Sequence, residues 1–363
     1  MTTASKSRVA YLAHWQGGAD TGPFHKIVSH VQNWSALGLD VRLFVTTAPS
    51  SAQDWQSAIP NAVVRSSESL PQKARTRSRL VRDVIAWQPD VAYIRHGLWY
   101  PGFDRLARRV PVVVEVGAND RAEMRTKSVL KSGYHYLTRS RVLRGCAGIV
   151  FVTKELAESE AFAGFGKPYV VISNGIDLAQ YDVLPPASGT QPRLVFLGHP
   201  HSPWHGVDEL PALATAFPDW DIDVIGPHAT EIGLVPANLH VHPLMSRTEY
   251  RHHLAAADVA IGTLGLYHLG TNEASPLKTR EYLACGLPVV IGYRDTDFSS
   301  AVPFLLEVDN QAGSVARNVD RIAAFVHEWK GRRVRRDQIA NLDARAKEHQ
   351  RVVFLQRLAK RSQ

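Results

Sequence analysis

Two glutamates, Glu273 and Glu281, stand with seven residues between them in GTNEASPLKTREYLACGLPVV, residues 270–290. Ser275 and Pro276 read as a helix entry, a capping hydroxyl followed by a proline that the first turn tolerates. LKTREYLAC supplies the helix, Gly286 ends it and Pro288 blocks its continuation. Val289, Val290 and Ile291 then read as a short buried strand. Glu273 precedes the helix, where its side chain reaches a ligand lying across the helix start. Backbone N–H groups near Leu277 and Lys278 point at the same ligand, and the positive end of the helix dipole suits a phosphate there. Glu281 lies about 7.5 Å further along the axis and shares a face with Lys278. One ligand with a polyol at each end and phosphate between them satisfies this arrangement, and a nucleotide-sugar has that shape. The plainer alternative is an ordinary structural helix that starts at Ser-Pro and ends at Gly.

Positioning these groups takes more than one domain. The chain has 363 residues, more than one core usually accommodates. Its 45% hydrophobic and 21% charged content is that of a globular protein. No apolar run is long enough to span a membrane, and MTTASKSRVAYLAHW lacks a secretory signal. Cys146 and Cys285 are too far apart for a metal-ligand spacing, so a cytoplasmic location is expected. The net charge of +8 fits a solvated basic surface or attraction to anionic lipid and phosphate. No nucleic-acid-binding motif is present, so nucleic acid is not an expected partner.

Along the chain, strands alternate with helices, the pattern of parallel βαβ units. Val9–His14 opens the series and leads into a loop where Gly17 and Gly18 allow close backbone approach to a ligand, or make a tight turn. Strands follow at LDVRLFVTT, QPDVAYIRHG, VPVVVEV, CAGIVFVTK and KPYVVIS. DVLPPASGTQP, residues 182–192, breaks the pattern as a linker. A second series begins at RLVFLG. The expected architecture is α/β, with two Rossmann-like parallel-sheet domains facing a central cleft. The domains are 1–182, a linker at 183–192, and 193–345, with a closing helix over 346–363 that can return to the first.

The glutamate stretch, with its Ala-Cys-Gly-Leu-Pro-Val-Val exit, resembles the donor-binding motif of family-4 retaining glycosyltransferases of the GT-B fold. VISNGID at 171–177 and LVFLG followed by WHGVDEL resemble further parts of that family, in the expected order. The resemblance implies a retaining, metal-independent hexosyltransferase without a cofactor, using a nucleotide-sugar as donor substrate. It implies that Glu273 contacts the donor sugar and Glu281 the ribose. Lys278 and the helix start at Ser275, Pro276 and Leu277 would stabilise the departing diphosphate. Gly198, His199 and His205 fall where the family places its diphosphate-binding loop, with histidines in place of the usual basic pair. A histidine found in many relatives after the strand VVVEV is absent, and Gly117, Ala118, Asn119 and Asp120 stand there. Arg95, His96, Asn119 and Asp120 are therefore positional candidates for the acceptor side, and Arg95 and His96 are expected to line the cleft. Glu115, inside a strand, is expected to be buried and paired.

The acceptor class expected is a glycan or lipid-linked acceptor of cell-envelope or exopolysaccharide synthesis. Basic segments 73–82 and 125–145 belong to the acceptor domain, and the second carries Val129, Leu130, Tyr134, Tyr136, Leu137 and Leu143 among its cations. Such a helix can lie in an anionic membrane interface or pack on the core with a solvated basic face. Two other functions fit the same pattern: a nucleotide-sugar epimerase and a non-catalytic binding or scaffold protein.

Overall fold

A computed structural model describes residues 6–125 and 127–360. The chain divides into two compact units. One runs to Ser173 and takes up the chain again from Ala344, and the other spans Asn174–Asp343.

The first unit holds a seven-stranded sheet. Its strands are β1 (Arg8–His14), β2 (Asp40–Thr47), β3 (Val63–Ser66), β4 (Val91–Arg95), β5 (Val112–Val116), β6 (Gly148–Phe151) and β7 (Tyr169–Val171). The spatial order is β3-β2-β1-β4-β5-β6-β7, and every pairing is parallel. A parallel sheet is covered by crossover helices on both faces, so its strands read as continuous apolar runs. All five residues of β5 are buried. Helix Gly22–Ala36 covers one face with Phe24, Ile27, Val31 and Trp34. Helix Leu70–Trp87 covers the other with Leu80, Val81 and Val84. The strand order reverses between β1 and β4, the kind of switch point at which open α/β sheets leave room for ligands. β3 has no counterpart among the expected strands: its four residues include Arg65 and Ser66, too short and polar for an apolar run.

The last helix, Ala344–Lys360, belongs to this unit. Trp34 Nε1 donates to Glu348 Oε2 at 2.6 Å, and Arg351 pairs with Glu348. Glu115 on β5 is buried and accepts from Lys26 Nζ at 2.8 Å. Burial alone would raise its pKa, but Lys26, His30 and Arg351 outweigh it and hold the carboxyl well below the usual range. Glu115 is thus a paired core charge.

The second unit repeats the design with β8 (Arg193–Leu197), β9 (Asp221–Ile225), β10 (Leu239–His242), β11 (Val259–Ile261), β13 (Val289–Ile291) and β15 (Leu305–Glu307). Their order is β10-β9-β8-β11-β13-β15, again parallel. Two short strands, β12 (Glu273–Ala274) and β14 (Arg294–Asp295), pair separately. The Pro-rich segment 182–192 is not where the units divide. It packs within the second unit, where Leu184 N donates to Cys285 O at 2.9 Å and Arg333 Nε to Pro185 O at 3.1 Å. Both cysteines are buried, free thiols.

Candidate active site in the second unit

The helix expected after the glutamate motif spans Leu277–Ala284. Its entry differs from the expected one. Pro276 occupies the capping position, and no side chain caps the helix. Ser275 Oγ turns elsewhere, accepting from Asn174 N and from Arg280 Nη2, each at 2.9 Å. Asn174 Nδ2 also donates to the Ser275 carbonyl. The Asn-Gly-Ile-Asp motif is thereby tied to the glutamate motif across more than a hundred residues of sequence. The exit is as read: Gly286 has φ +86°, a left-handed conformation that favours glycine.

Arg280 organises this corner, and nothing in the sequence singled it out. It is fully buried, and it binds Asp295 through Nη1 at 2.5 Å and Nη2 at 2.8 Å, Asp297 at 2.6 Å and the Asn174 carbonyl at 3.1 Å. Burial opposes the guanidinium charge, but the two carboxylates outweigh it and raise the pKa further. The network fixes β14 against the helix and so holds Glu273, the first residue of the paired β12.

Lys278 projects from the first turn. Its Nζ donates to Leu197 O at 3.1 Å and lies 4.2 Å from the Phe196 ring centre. Leu197 N donates in turn to Tyr282 Oη at 2.6 Å. The end of β8 is therefore gripped from both sides by one helix. Desolvation lowers the Lys278 pKa to about 7.

Gly198 follows directly. A side chain there would collide with Phe196 and Pro227. His199 is exposed, and its N–H donates to His205 Nδ1 at 3.2 Å. That bond leaves the other ring nitrogen of a neutral His205 as its N–H donor. Burial, then Lys278, push the His205 pKa well below its ordinary value. A permanently charged His205 is thus not what this site offers, and the titrating cation is Lys278. Gly198, His199, His205 and Lys278 are brought together at the end of β8.

Glu281 sits one turn further on. Tyr250 Oη donates to its Oε1 at 2.9 Å, and Arg247 Nε lies 3.4 Å from the same oxygen. Arg247 in turn stacks over Tyr181 at 3.9 Å. Burial raises the Glu281 pKa against the pull of Tyr250 and Arg247. The arrangement supplies a carboxylate, a phenol and an aromatic face, suited to a hydroxyl-bearing ring.

The acceptor-side candidates lie in the first unit. His96 Nε2 and His135 Nε2 each lie 2.8 Å from Asp120 Oδ2, and Arg139 holds both oxygens of that carboxylate at 2.6 and 3.0 Å. Burial would raise the Asp120 pKa, but the two imidazoles and Arg139 outweigh it and keep the carboxyl ionised. His135 and Arg139 were hidden inside the basic segment and carried no motif. Asn119 Oδ1 accepts from Ala122 N and opens helix Asp120–Arg125. Arg95 lies over the Trp15 ring at 5.5 Å, and its Nη1 is buried with no hydrogen-bond partner among the described residues. The Gly17–Gly18 loop is a packed turn: Ala19 N donates to Asp54 Oδ2, Trp55 Nε1 donates to Gly17 O, and a Cβ on Gly18 would collide with Asp54.

Two clusters have donor atoms close enough to share a metal ion, His96–Asp120–His135 and Asp223–His242–His253. In each the carboxylate already pairs with an arginine, Arg139 in the first and Arg193 in the second. Neither cluster includes Glu273, Lys278 or Glu281.

Residues 27–180 match the family model Glycosyltransferase Family 4. No curated protein matches the sequence. Solved structures do match the fold. A glycosyltransferase from Rickettsia africae aligns with TM-score 0.67 at 12% identity, over 98% of this chain and all of the other. Sucrose-phosphate synthase from Thermosynechococcus elongatus aligns with TM-score 0.64 at 12% identity, over 98% and 97% of the two chains. An Anabaena protein in complex with UDP-glucose aligns with TM-score 0.59 at 15% identity, over 97% and 98%. The α/β architecture with two parallel sheets is the GT-B fold, and the resemblance to family-4 glycosyltransferases holds.

Proposed function

We propose that this chain, with a family-4 match in its first half and the GT-B fold throughout, is a retaining, metal-independent glycosyltransferase using a nucleotide-sugar donor. The observation that carries the reading is the single helix Leu277–Ala284. It presents Lys278 to the loop after β8 and Glu281 to Tyr250 and Arg247, while Glu273 lies just before it. A diphosphate laid across its start meets backbone N–H groups and one lysine. The departing diphosphate gains negative charge as the glycosidic bond breaks, and fixed donors there stabilise the transition state. Glu281 holds the ribose, and Glu273 orients the sugar. His205 adds a neutral N–H donor. The Anabaena protein bound to UDP-glucose supports a nucleotide-sugar as the donor class. Incubation with nucleotide-sugars and a cell-envelope lipid extract tests the reading. Donor-dependent glycosylation of that extract is expected. Conversion of the donor without any acceptor is the result for an epimerase, and binding without turnover is the result for a scaffold.

Lys278 makes donor binding pH-dependent. Its ammonium is half-titrated near pH 7 in the free protein, and a bound diphosphate favours the charged form. Raising the pH through this range costs affinity, because the lysine must take up a proton to bind. The Kd of the nucleoside diphosphate should rise between about pH 7 and 9 by up to tenfold per unit. Lys278→Arg, charged throughout, should flatten that rise. A wild-type Kd constant over this range removes Lys278 from the phosphate site.

The acceptor is proposed to be lipid-linked, with the protein docked on an anionic membrane surface. Among the described residues no helix is long and apolar enough to cross a membrane. Helix Val129–Gly145 instead buries His135, Thr138, Arg139, Val142 and Leu143 and exposes the opposite side. There Val129, Leu130, Tyr136 and Leu137 are 87%, 88%, 84% and 75% exposed. Large apolar side chains so exposed beside Lys131 and Arg141 suit a bilayer interface. Vesicles containing anionic lipid should bind the protein in low salt. Replacing Arg125, Lys127, Lys131 and Arg141 by glutamine should weaken binding markedly, at about 1 kcal/mol per cation. Arg139 is left out of this variant because it is buried on Asp120. Equal binding by the variant rules out docking through this helix.

A further inference from the structure

We propose that the groove between helices Leu70–Trp87 and Phe103–Ala107 is a second anion site, built for a ligand carrying clustered phosphate groups. The groove encloses about 670 Å³ and lies wholly in the first unit. Its floor is fixed: Ser78 Oγ donates to Pro101 O at 3.0 Å, and Val81 packs against Gly102. Arg75, Arg79 and Arg82 come from the first helix at spacings of four and three, so they share one face. Arg105 and Arg108 come from the second helix and the turn after it, and Arg109 lines the adjoining hollow with Arg82 and Arg105.

All six guanidinium groups are exposed. Among the described residues none of them makes an ion pair or hydrogen bond. Several arginines elsewhere are matched to carboxylates, among them Arg65 to Asp83, Arg193 to Asp223 and Arg280 to Asp295. The one acid lining the groove, Asp104, accepts from Trp99 Nε1 at 3.2 Å instead. A solvated basic face would scatter such charges and interleave acids. Here they converge from two elements on one concavity, at a cost in mutual repulsion that a polyanion removes. Guanidinium forks bind phosphate oxygens in pairs, with directional, charge-assisted hydrogen bonds. The volume exceeds that of one phosphate, so a diphosphate or a phosphorylated glycan fits. The ligand's source is either a lipid headgroup or a soluble phosphorylated compound, and the recognition chemistry is the same. The groove's residues belong to the first unit and Lys278 to the second, and the proposal does not depend on the donor reading.

The test uses the full chain carrying Lys278→Met, which silences the donor-side cation. Inorganic pyrophosphate is titrated calorimetrically at about 0.15 M salt, where long-range attraction between exposed charges is screened. Binding is expected, and Arg79→Gln, Arg105→Gln and Arg108→Gln together should weaken it about tenfold or more. These side chains are exposed, so the fold should persist, which circular dichroism checks. Citrate, an anion without phosphate, should bind far less well. Vesicles of phosphatidylcholine with phosphatidic acid, compared with soluble pyrophosphate, separate the sources: tighter groove-dependent binding to vesicles assigns a lipid, and tighter binding to pyrophosphate a soluble ligand. Absence of pyrophosphate binding, equal binding by the triple variant, or equal binding of citrate overturns the proposal. Pyrophosphate binding that persists in Lys278→Met and is lost in the triple arginine variant assigns it to the groove rather than to the donor site.

Discussion

Lys278→Met should lower kcat about 10²–10³-fold, the loss seen when one fixed electrostatic donor is removed from a site of developing charge. The substitution keeps the apolar stem that lies against Phe196 and removes only the ammonium. The charge matters most when the glycosidic bond breaks, because the leaving diphosphate then becomes more negative. KM should therefore change less than kcat. The helix start and the neutral His205 remain to bind phosphate. Steady-state donor turnover checks this, and a wild-type kcat in the variant would show that the lysine charge does not serve the leaving group.

Arg280→Met should destabilise the second unit by about 3–5 kcal/mol, the cost of removing one partner from a buried ion pair. The remaining Asp295, only 3% exposed, and the part-buried Asp297 lose their shared cation. Asn174 and Ser275 lose the contacts that join their two segments. Denaturant unfolding followed by tryptophan fluorescence reads the change. A loss below about 1 kcal/mol would mean that the network contributes little beyond its packing. Arg280→Met, Asp295→Leu together should recover part of the loss, since a well-packed apolar pair avoids the uncompensated charge.

The alternation of apolar runs and helices made both sheets readable, because parallel strands buried on two faces carry the pattern in their own residues. Helix Leu277–Ala284 was legible for the same local reason, with Gly286 and Pro288 marking its exit. What the sequence concealed depends on distant partners. Ser275 reads as a cap from its neighbours alone, but its hydroxyl is claimed by Asn174 and Arg280. Arg280 looks like any helical arginine until the fold brings Asp295 and Asp297 to it. His135 and Arg139 lay in a segment whose charge pointed outward, and the fold buries both on Asp120. That helix has one side in the core and the other bearing exposed apolar residues. The protonation of His205 was not legible from its residue type, since burial and then Lys278 push its pKa down.

One helix of the second unit is proposed to hold the nucleotide part of a sugar donor. The most direct test is calorimetric titration of a panel of nucleoside diphosphates and nucleotide-sugars into the wild type, Glu281→Ala and Lys278→Met. One-to-one binding of at least one nucleotide is expected. Affinity should fall about tenfold or more in Glu281→Ala, where a ribose contact formed in the ground state is lost. In Lys278→Met the pH dependence of Kd should vanish. No binding by any nucleotide, or wild-type affinity and pH dependence in both folded variants, would contradict the proposal.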